Sequence, residues 1–460
     1  MSGEIFVVSA SGQGHLYPCL ELCKHLISRN YSVTLVIPSS LSSFVPSSLL
    51  QHRPHLRVHQ VASDPGHLMF GPDPLPLPQA VLDLEAQLNG PYSTTRPLCA
   101  VIDFQMAWTK EVFWKYGIPV VSFFTFGACA AAMEWASWEA QPSDMKPNEV
   151  RPLPGLPEEM SLTYFDLKRR PLSNGPPIGS CPARPAGGGG PPKPGQMPPW
   201  VQAIKGSIGL LFNTCDEIER PFLDYMANQM AMPVWATGPL LPEPFWKSFG
   251  SIIHDYQIRQ HRQSSITEDE VIEWLDSKPR GSVLYVSFGS ELGPTMEEYP
   301  QLEQALELSN KPFIWVIPSG SNGSAGYSPH GLESRVGCRG LVIHGWAPQL
   351  MILSHHSTGG FLSHCGWNST VESIGLGVPM LAWPMRGDQY FNAKLVLRHL
   401  KVGSTVSARD PSEPVRKEDI VEAIERLMGQ DLEEYTKRAA QLRSKLTDLW
   451  AIGAILSYNH

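Results

Sequence analysis

Long apolar runs are missing from this chain. A membrane-spanning helix needs about 18 or more consecutive apolar residues. The nearest approach, Val120 to Met133, is interrupted by Ser122, Thr125 and Gly127, so no transmembrane segment is expected. No secretory signal is expected either, since MSGEIFVVSASGQGH has no basic n-region and passes straight into strand and turn residues. Positive charge is in short supply, with 36 Lys and Arg against 44 Asp and Glu and a net charge of −8. That balance argues against a nucleic-acid partner. None of the eight cysteines (19, 23, 99, 129, 181, 215, 338 and 365) forms a CxxC pair. Cys19 and Cys23 share an expected helix but have no His pair to complete a metal site, and reduced thiols in a cytoplasmic protein are the simplest reading. No internal repeat of fixed period is present.

What remains is the composition of an ordinary globular protein. At 42% hydrophobic and 17% charged over 460 residues, the chain can form two large domains or two to three smaller ones. Glu4 to Val8 reads as a buried strand, Ser9 to Gly14 as a small-residue turn, Leu16 to Ile27 as a helix and Ser32 to Pro38 as the next strand. This is a βαβ unit of a doubly wound α/β fold. Its first turn is not GxGxxG, so no dinucleotide site follows. Gln79 to Leu88 reads as a helix, Leu98 to Ile102 as a strand ending in Asp103, Ala107 to Lys115 as a helix, and Val120 to Phe124 as a strand ending in Thr125. His15, Asp103 and Thr125 therefore lie at or just past the carboxyl ends of expected parallel strands, the edge where open α/β sheets bind ligands. An imidazole and a carboxylate there suit a general base and its orienter. A strand-end Asp can equally just cap the following helix.

Proline and glycine crowd Pro171 to Pro199, which cannot hold a helix or a central strand. Gly209 to Thr214, Glu217 to Met226 and Val234 to Leu240 read as strand, helix, strand. A second βαβ region follows. Ser282 to Gly289 is a strand whose end, Ser287 to Ser290, offers hydroxyl and amide donors. Glu297 to Leu308 is a helix, and Pro312 to Ile317 and Gly340 to His344 are strands. Tyr390 to Leu400, Arg416 to Met428 and Leu432 to Leu449 are helices.

The most informative stretch runs from Trp346 to Gln389. Gly359 to Leu362 is a short buried strand, Ser363 to Gly366 turns, and Asn368, Ser369 and Thr370 supply N-cap chemistry for a helix through Val371, Glu372 and Ile374. A helix that opens directly after a strand aims amide groups and the positive end of its dipole at one spot. That makes an anion site, to which His364 and Ser369 add side-chain donors.

The same stretch closely resembles the signature box of plant family 1 UDP-sugar-dependent glycosyltransferases: W-x-P-Q, H, G-G-F, H-C-G-W-N-S, E, G-V-P and D-Q occur in order. The resemblance implies that Trp346 stacks on uracil, with Ala347 and Gln349 at the base or ribose. It implies that Glu372 accepts from the ribose hydroxyls, that His364, Asn368 and Ser369 hold the diphosphate with the Ser290 turn, and that Trp367, Asp388 and Gln389 face the sugar. Gln389 is the family residue associated with glucose. His355 also matches the box and is read as structural. Upstream, GQGH, VIDF and GIPVVSFFT are similar to the family's base turn, its Asp-bearing strand and the Thr near the sugar. Carried over, His15 is the general base, Asp103 holds its other ring nitrogen, and Thr125 lies near the sugar or acceptor. The family's closing Gly-Gly-Ser-Ser segment has no counterpart in DLWAIGAILSYNH.

The resemblance implies a GT-B enzyme: two Rossmann-like domains with parallel sheets facing across a cleft. The expected divisions are 1–240 for the acceptor-binding domain, 241–265 for a linker, 266–445 for the UDP-sugar domain and 446–460 for a tail packing back on the first. The expected activity is inverting transfer of glucose from UDP-glucose to a small aromatic acceptor, a flavonoid or related phenolic. A monomer without a metal or other cofactor is expected, since no DxD lies near the box and the diphosphate donors replace a metal. Terpenoid, steroid or hormone acceptors, C-glycosylation, a UDP-sugar epimerase or hydrolase, and a UDP-sugar-binding protein without turnover are the alternatives.

Overall fold

In the computed structural model, two wholly parallel sheets carry the architecture, and a two-stranded antiparallel pair, Val150–Arg151 with Leu162–Thr163, stands beside them. Residues 3–51, 55–62, 79–89, 96–168, 170, 194–247, 251–255, 264–290, 293–318, 327–407 and 409–458 are described. Most of the irregular stretch expected from Pro171 to Pro199, namely 171–193, lies outside them. The chain divides into two compact units. The larger pieces of the first are Met1–Trp135 and Met197–Pro242, and those of the second are Ala136–Gly179 and Glu243–His460.

The first unit is built on β1 (Glu4–Val8), α1 (Gln13–Ser28), β2 (Ser32–Pro38), β3 (Leu56–Val61), α2 (Gln79–Leu88), β4 (Cys99–Asp103), β5 (Val120–Phe124), α3 (Ala128–Ala140), β6 (Gly209–Phe212), α4 (Asp216–Met230) and β7 (Val234–Ala236). Its strand order is β3-β2-β1-β4-β5-β6-β7. Successive side chains of a strand point to opposite faces. Ile5 and Val7 accordingly pack with Leu16 and Leu20 of α1, while Phe6 and Val8 pack with Val81 and Leu84 of α2. Both faces are covered, which is why these strands read as unbroken apolar runs. The strand expected from Val234 to Leu240 stops at Ala236. Pro239, with no N–H, cannot continue a ladder. The helix expected from Ala107 is also corrected. Phe104–Thr109 is a tight 3₁₀ segment, with Lys110–Lys115 helical after it.

The second unit contains α5 (Glu268–Asp276), β8 (Val283–Ser287), α6 (Glu298–Leu308), β9 (Phe313–Ile317), β10 (Gly340–His344), α7 (Gln349–Ser354), β11 (Thr358–Ser363), α8 (Trp367–Leu376), β12 (Met380–Ala382), α9 (Gln389–Lys394), β13 (Gly403–Thr405), α10 (Lys417–Glu425) and α11 (Leu432–Tyr458). Its order is β10-β9-β8-β11-β12-β13. Leu284, Val286, Trp315, Leu362 and Leu381 form one inner face with Leu302 and Leu306 of α6 and Ile420 and Ile424 of α10. On the other face Tyr285 stacks on Phe361, ring centroids 4.9 Å apart. The stretch from Ala136 joins this unit through Lys394, whose ammonium donates to the Ser161 carbonyl and to Asp166, each at 2.6 Å. Near the end of the chain, Trp450 on α11 stacks on Trp246.

Gly359 shows how tightly β11 is set. A Cβ there would stand 2.0 Å from the Gly281 carbonyl oxygen, and a backbone atom cannot give way as a side chain can. Gly359→Ala is expected to lower unfolding stability by about 3 kcal/mol, the upper range for overpacking. Denaturant titration measures this, and an unchanged midpoint would contradict the packing described.

Candidate active site

In each sheet the strand order reverses once. In the first unit β1 and β4 are neighbours, with β2 and β3 to one side and the later strands to the other. At such a switch point the loops leaving the two strands part in opposite directions and open a crevice at their carboxyl ends. Gly12, at φ 99° and ψ 151°, precedes α1 and sets its entry. That region of backbone space is essentially reserved for glycine. The turn places His15 in the first turn of the helix, over the end of β4. His15 Nδ1 lies 2.6 Å from Asp103 Oδ2 and 3.1 Å from Thr125 Oγ1. Asp103 is fully buried, and its other oxygen accepts from the Gln105 amide at 3.0 Å. The carboxylate thus has a fixed orientation and a partner for each oxygen. A proton on Nδ1 shared with Asp103 leaves Nε2 as the basic nitrogen, and the His15 side chain is 18% exposed. The structure brings His15, Asp103 and Thr125 together, although the chain separates His15 from them by 88 and 110 residues.

The second unit repeats the plan at β8 and β11, where Ser287 and Ser363 pair at the strand ends. The turns that follow meet around His364. A Cβ at Gly289 would stand 2.9 Å from this ring, and one at Gly366 only 2.4 Å from its Nε2. Both glycines are therefore required by the close approach of the imidazole. Ser290, next to Gly289, is exposed. Burial pushes the His364 imidazole from the ordinary 6.5 down to about 4. Its Nδ1 has no hydrogen-bond partner among the described residues. His364 is thus a neutral, single N–H donor near pH 7.

The N-cap expected at Asn368 to Thr370 is corrected. Gly366, in extended backbone at φ −60° and ψ 144°, is the cap residue, and the Thr370 amide already bonds its carbonyl at 2.9 Å. Asn368 and Ser369 instead occupy the first helical turn, where amides have no carbonyl of their own helix to pair with. Before them Cys365 holds the left-handed φ of 61°, unusual for a residue with a side chain. Two bonds hold it there: its amide donates to Ser363 Oγ at 3.1 Å, and its carbonyl accepts from Asn392 Nδ2 at 3.0 Å.

Gln349 ties the remaining box residues together. Its Nε2 donates to Ser369 Oγ at 3.1 Å and to Glu372 Oε2 at 2.7 Å, and its Oε1 accepts from the Tyr285 hydroxyl at 3.4 Å. Glu372 is 1% exposed. Trp346 is half-buried just after β10, and Ala347 is buried. Trp367 is also buried, at 4% exposure. Past β12, Gln389 Oε1 accepts from the Met385 and Arg386 amides, each at 3.0 Å. This orients the Gln389 side chain with Nε2 as its donating end. Asp388 Oδ2 accepts from Asn392 Nδ2 at 2.7 Å. Asn392 was missed from the sequence, although its spacing of four from Asp388 on a helix is a readable signal.

One group among the described residues has metal-ligand spacing: Asp276, His355 and His356. His355 Nε2 lies 3.1 Å from Asp276 Oδ1, and its Nδ1 accepts from the Ser357 amide at 3.2 Å. Both ring nitrogens are engaged, so the group fits a structural hydrogen-bonded pair better than a metal site. Of the aromatics near the first site, Phe123 and Phe124 are fully buried. Phe124 packs against Phe104, Phe126, Trp200 and Phe212.

The family model for UDP-glucoronosyl and UDP-glucosyl transferases matches residues 256–448. The chain is 30% identical to the scopoletin glucosyltransferase of Nicotiana tabacum over 470 residues, covering 95% of this chain and 92% of that one. It superposes on the crystal structure of TcCGT1 in complex with UDP with a TM-score of 0.73, at 26% identity over 96% of this chain and 94% of that one. A third likeness is to Glycyrrhiza uralensis UGT73P12, solved with glycyrrhetinic acid 3-O-monoglucuronide. Its TM-score is 0.72, at 26% identity over 96% and 91% of the two chains. The chain belongs to the UDP-glucoronosyl and UDP-glucosyl transferase family and is a plant-type UDP-glycosyltransferase of the GT-B fold. No helix among the described residues is long and apolar enough to cross a membrane.

The neutrality of His364 has a measurable consequence. A His held neutral in the fold but free to protonate when unfolded contributes stability above about pH 6.5 that is lost as pH falls toward 4. Between these values the folded ring carries no charge. UDP-glucose affinity by calorimetry should therefore change less than about twofold between pH 7.5 and 5.5. A large gain at the lower pH that His364→Asn removes would contradict a neutral donor.

Proposed function

We propose that the protein transfers glucose from UDP-glucose to a hydroxyl of a small phenolic acceptor, with inversion at the anomeric carbon. The observation that carries this reading is the short bond from His15 Nδ1 to the buried carboxylate of Asp103. It leaves Nε2 to take the proton of an acceptor hydroxyl. The acceptor oxygen attacks the anomeric carbon and forms the new C–O bond. The bond to UDP breaks and UDP leaves with the electron pair. Asp103 steadies the imidazolium that forms. The transition state resembles an oxocarbenium ion, and negative charge grows on the departing diphosphate. Donors from His364, Asn368, Ser369 and the Ser290 turn act on that charge. Trp346 serves as the uracil platform with Ala347 beside it. Gln349 and Glu372 serve the ribose, and Trp367, Asp388 and Gln389 the sugar. Thr125 sits by the reacting centre.

The relative named for scopoletin supports a phenolic acceptor. The neighbour solved with a glycyrrhetinic acid glucuronide favours a second reading, in which the same chemistry acts on a triterpenoid.

His15→Ala is expected to lower transfer by about 10³-fold, within the range for losing a general base, with UDP affinity unchanged. Steady-state rates with a phenol acceptor, together with calorimetry, test this, and a normal rate would remove the base assignment. Trp346→Ala is expected to weaken UDP binding by about tenfold, since a stacked base contributes about 1–3 kcal/mol. An unchanged affinity would place the platform elsewhere.

A further inference from the structure

We propose that Asn213 and Glu219 are positioning residues for the His15–Asp103 pair, acting through the turn that runs from Thr125 to Cys129. The inference rests on the reading of His15 as the base.

Asn213 follows β6 and is 1% exposed. Its Nδ2 donates to the Thr125 carbonyl at 3.0 Å, and its Oδ1 accepts from the Leu240 amide at 2.7 Å. The two bonds fix which way the side-chain amide faces. A Cβ at Gly238 would stand 2.7 Å from Asn213 Oδ1, so only a glycine lets the chain pass this close to the amide. Thr125, held by its carbonyl, presents Oγ1 to His15 Nδ1.

Glu219 acts on the other end of the same turn. It is fully buried, and its two oxygens accept from the amides of Ala128 and Cys129 at 2.6 and 2.9 Å. These are the first two residues of α3, whose amides have no helical partner and whose dipole favours a carboxylate. The backbone at Glu219 leaves helical geometry, at φ −137° and ψ 23°. Pro221 follows two residues later, and its ring cannot fit within a regular turn. The kink lets the carboxylate reach α3. Burial pushes the Glu219 carboxyl up to about 7 against the pull of the two amides. A buried carboxyl of this kind is costly for stability alone. Only Phe126 and Gly127 separate Thr125 from the amides that Glu219 holds.

Thr125 is the second group flanking Nδ1. With both ends of its turn pinned, the imidazole is confined from two sides and Nε2 is presented in one direction. Loss of either pin should therefore appear in kcat rather than in substrate affinity.

The test uses the full chain, UDP-glucose and a phenol that the wild type glucosylates. Asn213→Ala and Glu219→Gln are each made alone and with Thr125→Val, beside His15→Ala. Each single variant is expected to lower kcat about tenfold with acceptor KM within about twofold, the signature of misorientation. UDP affinity should not move. Each double variant should be no slower than Thr125→Val alone, because residues acting through one group are not additive. Losses that multiply in the doubles, or that fall on KM, would overturn the proposal. Asn213→Ser, which shortens the side chain and removes the amide donor to the Thr125 carbonyl, replaces the alanine variant if that one does not fold. A normal rate in His15→Ala would sink the base reading itself. An inactive His15→Ala with multiplying doubles would sink only the positioning inference.

Discussion

The structure depends on where each parallel sheet reverses its strand order. Neighbouring parallel strands cannot be joined by a tight hairpin, so each strand leaves its carboxyl end through a loop into a crossover segment. At β1 and β4, and again at β8 and β11, those loops part and leave a crevice. The candidate base pair and the candidate diphosphate donors stand at these two places. His15 and Asp103 occupy the first, and His364 and the Ser290 turn occupy the second. Apolar side chains on both faces of the first sheet and on the inner face of the second hold the strands in place around these crevices.

The two crevices differ in their electrostatics. In the first, a buried carboxylate faces an imidazole at 2.6 Å, an arrangement that stabilises positive charge arriving on the ring. In the second, burial keeps the histidine neutral. It offers a single N–H beside a helix start whose dipole favours an anion. One imidazole is thereby suited to accept a proton and the other to hold a phosphate oxygen. The same residue type is given opposite chemical characters, because one faces a carboxylate and the other is enclosed between two glycines.

Strands were the most legible feature of the sequence. Ser32 to Pro38, Val120 to Phe124 and Gly340 to His344 appear residue for residue as read, because short runs rich in Val, Ile and Leu between turn residues mark strands. Segment ends were less legible. The turn after Asp103 tightens into a 3₁₀ segment because the Asp103 carboxylate takes the Gln105 amide, a bond no periodicity reveals. The cap of α8 falls on Gly366 because the His364 ring lies where a Cβ would be, a tertiary constraint that overrides the preference for Asn or Ser. Strand ends marked His15 and Asp103 as candidates, but their partnership depends on β1 and β4 being neighbours. Asn213 and Glu219 gave no signal, since each acts on backbone groups about 90 residues away in the chain.

The central claim is that a sugar leaves UDP and arrives inverted on an acceptor oxygen. The most direct measurement incubates the purified protein with UDP-α-glucose and a panel of phenolics, terpenoid alcohols and steroids, followed by mass spectrometry and proton NMR of the product. A product heavier by one hexose, joined through oxygen in the β configuration, is the expected result, with a phenolic the preferred acceptor. An α-linked product, or free glucose formed without any acceptor adduct, would contradict inverting transfer by His15 and Asp103.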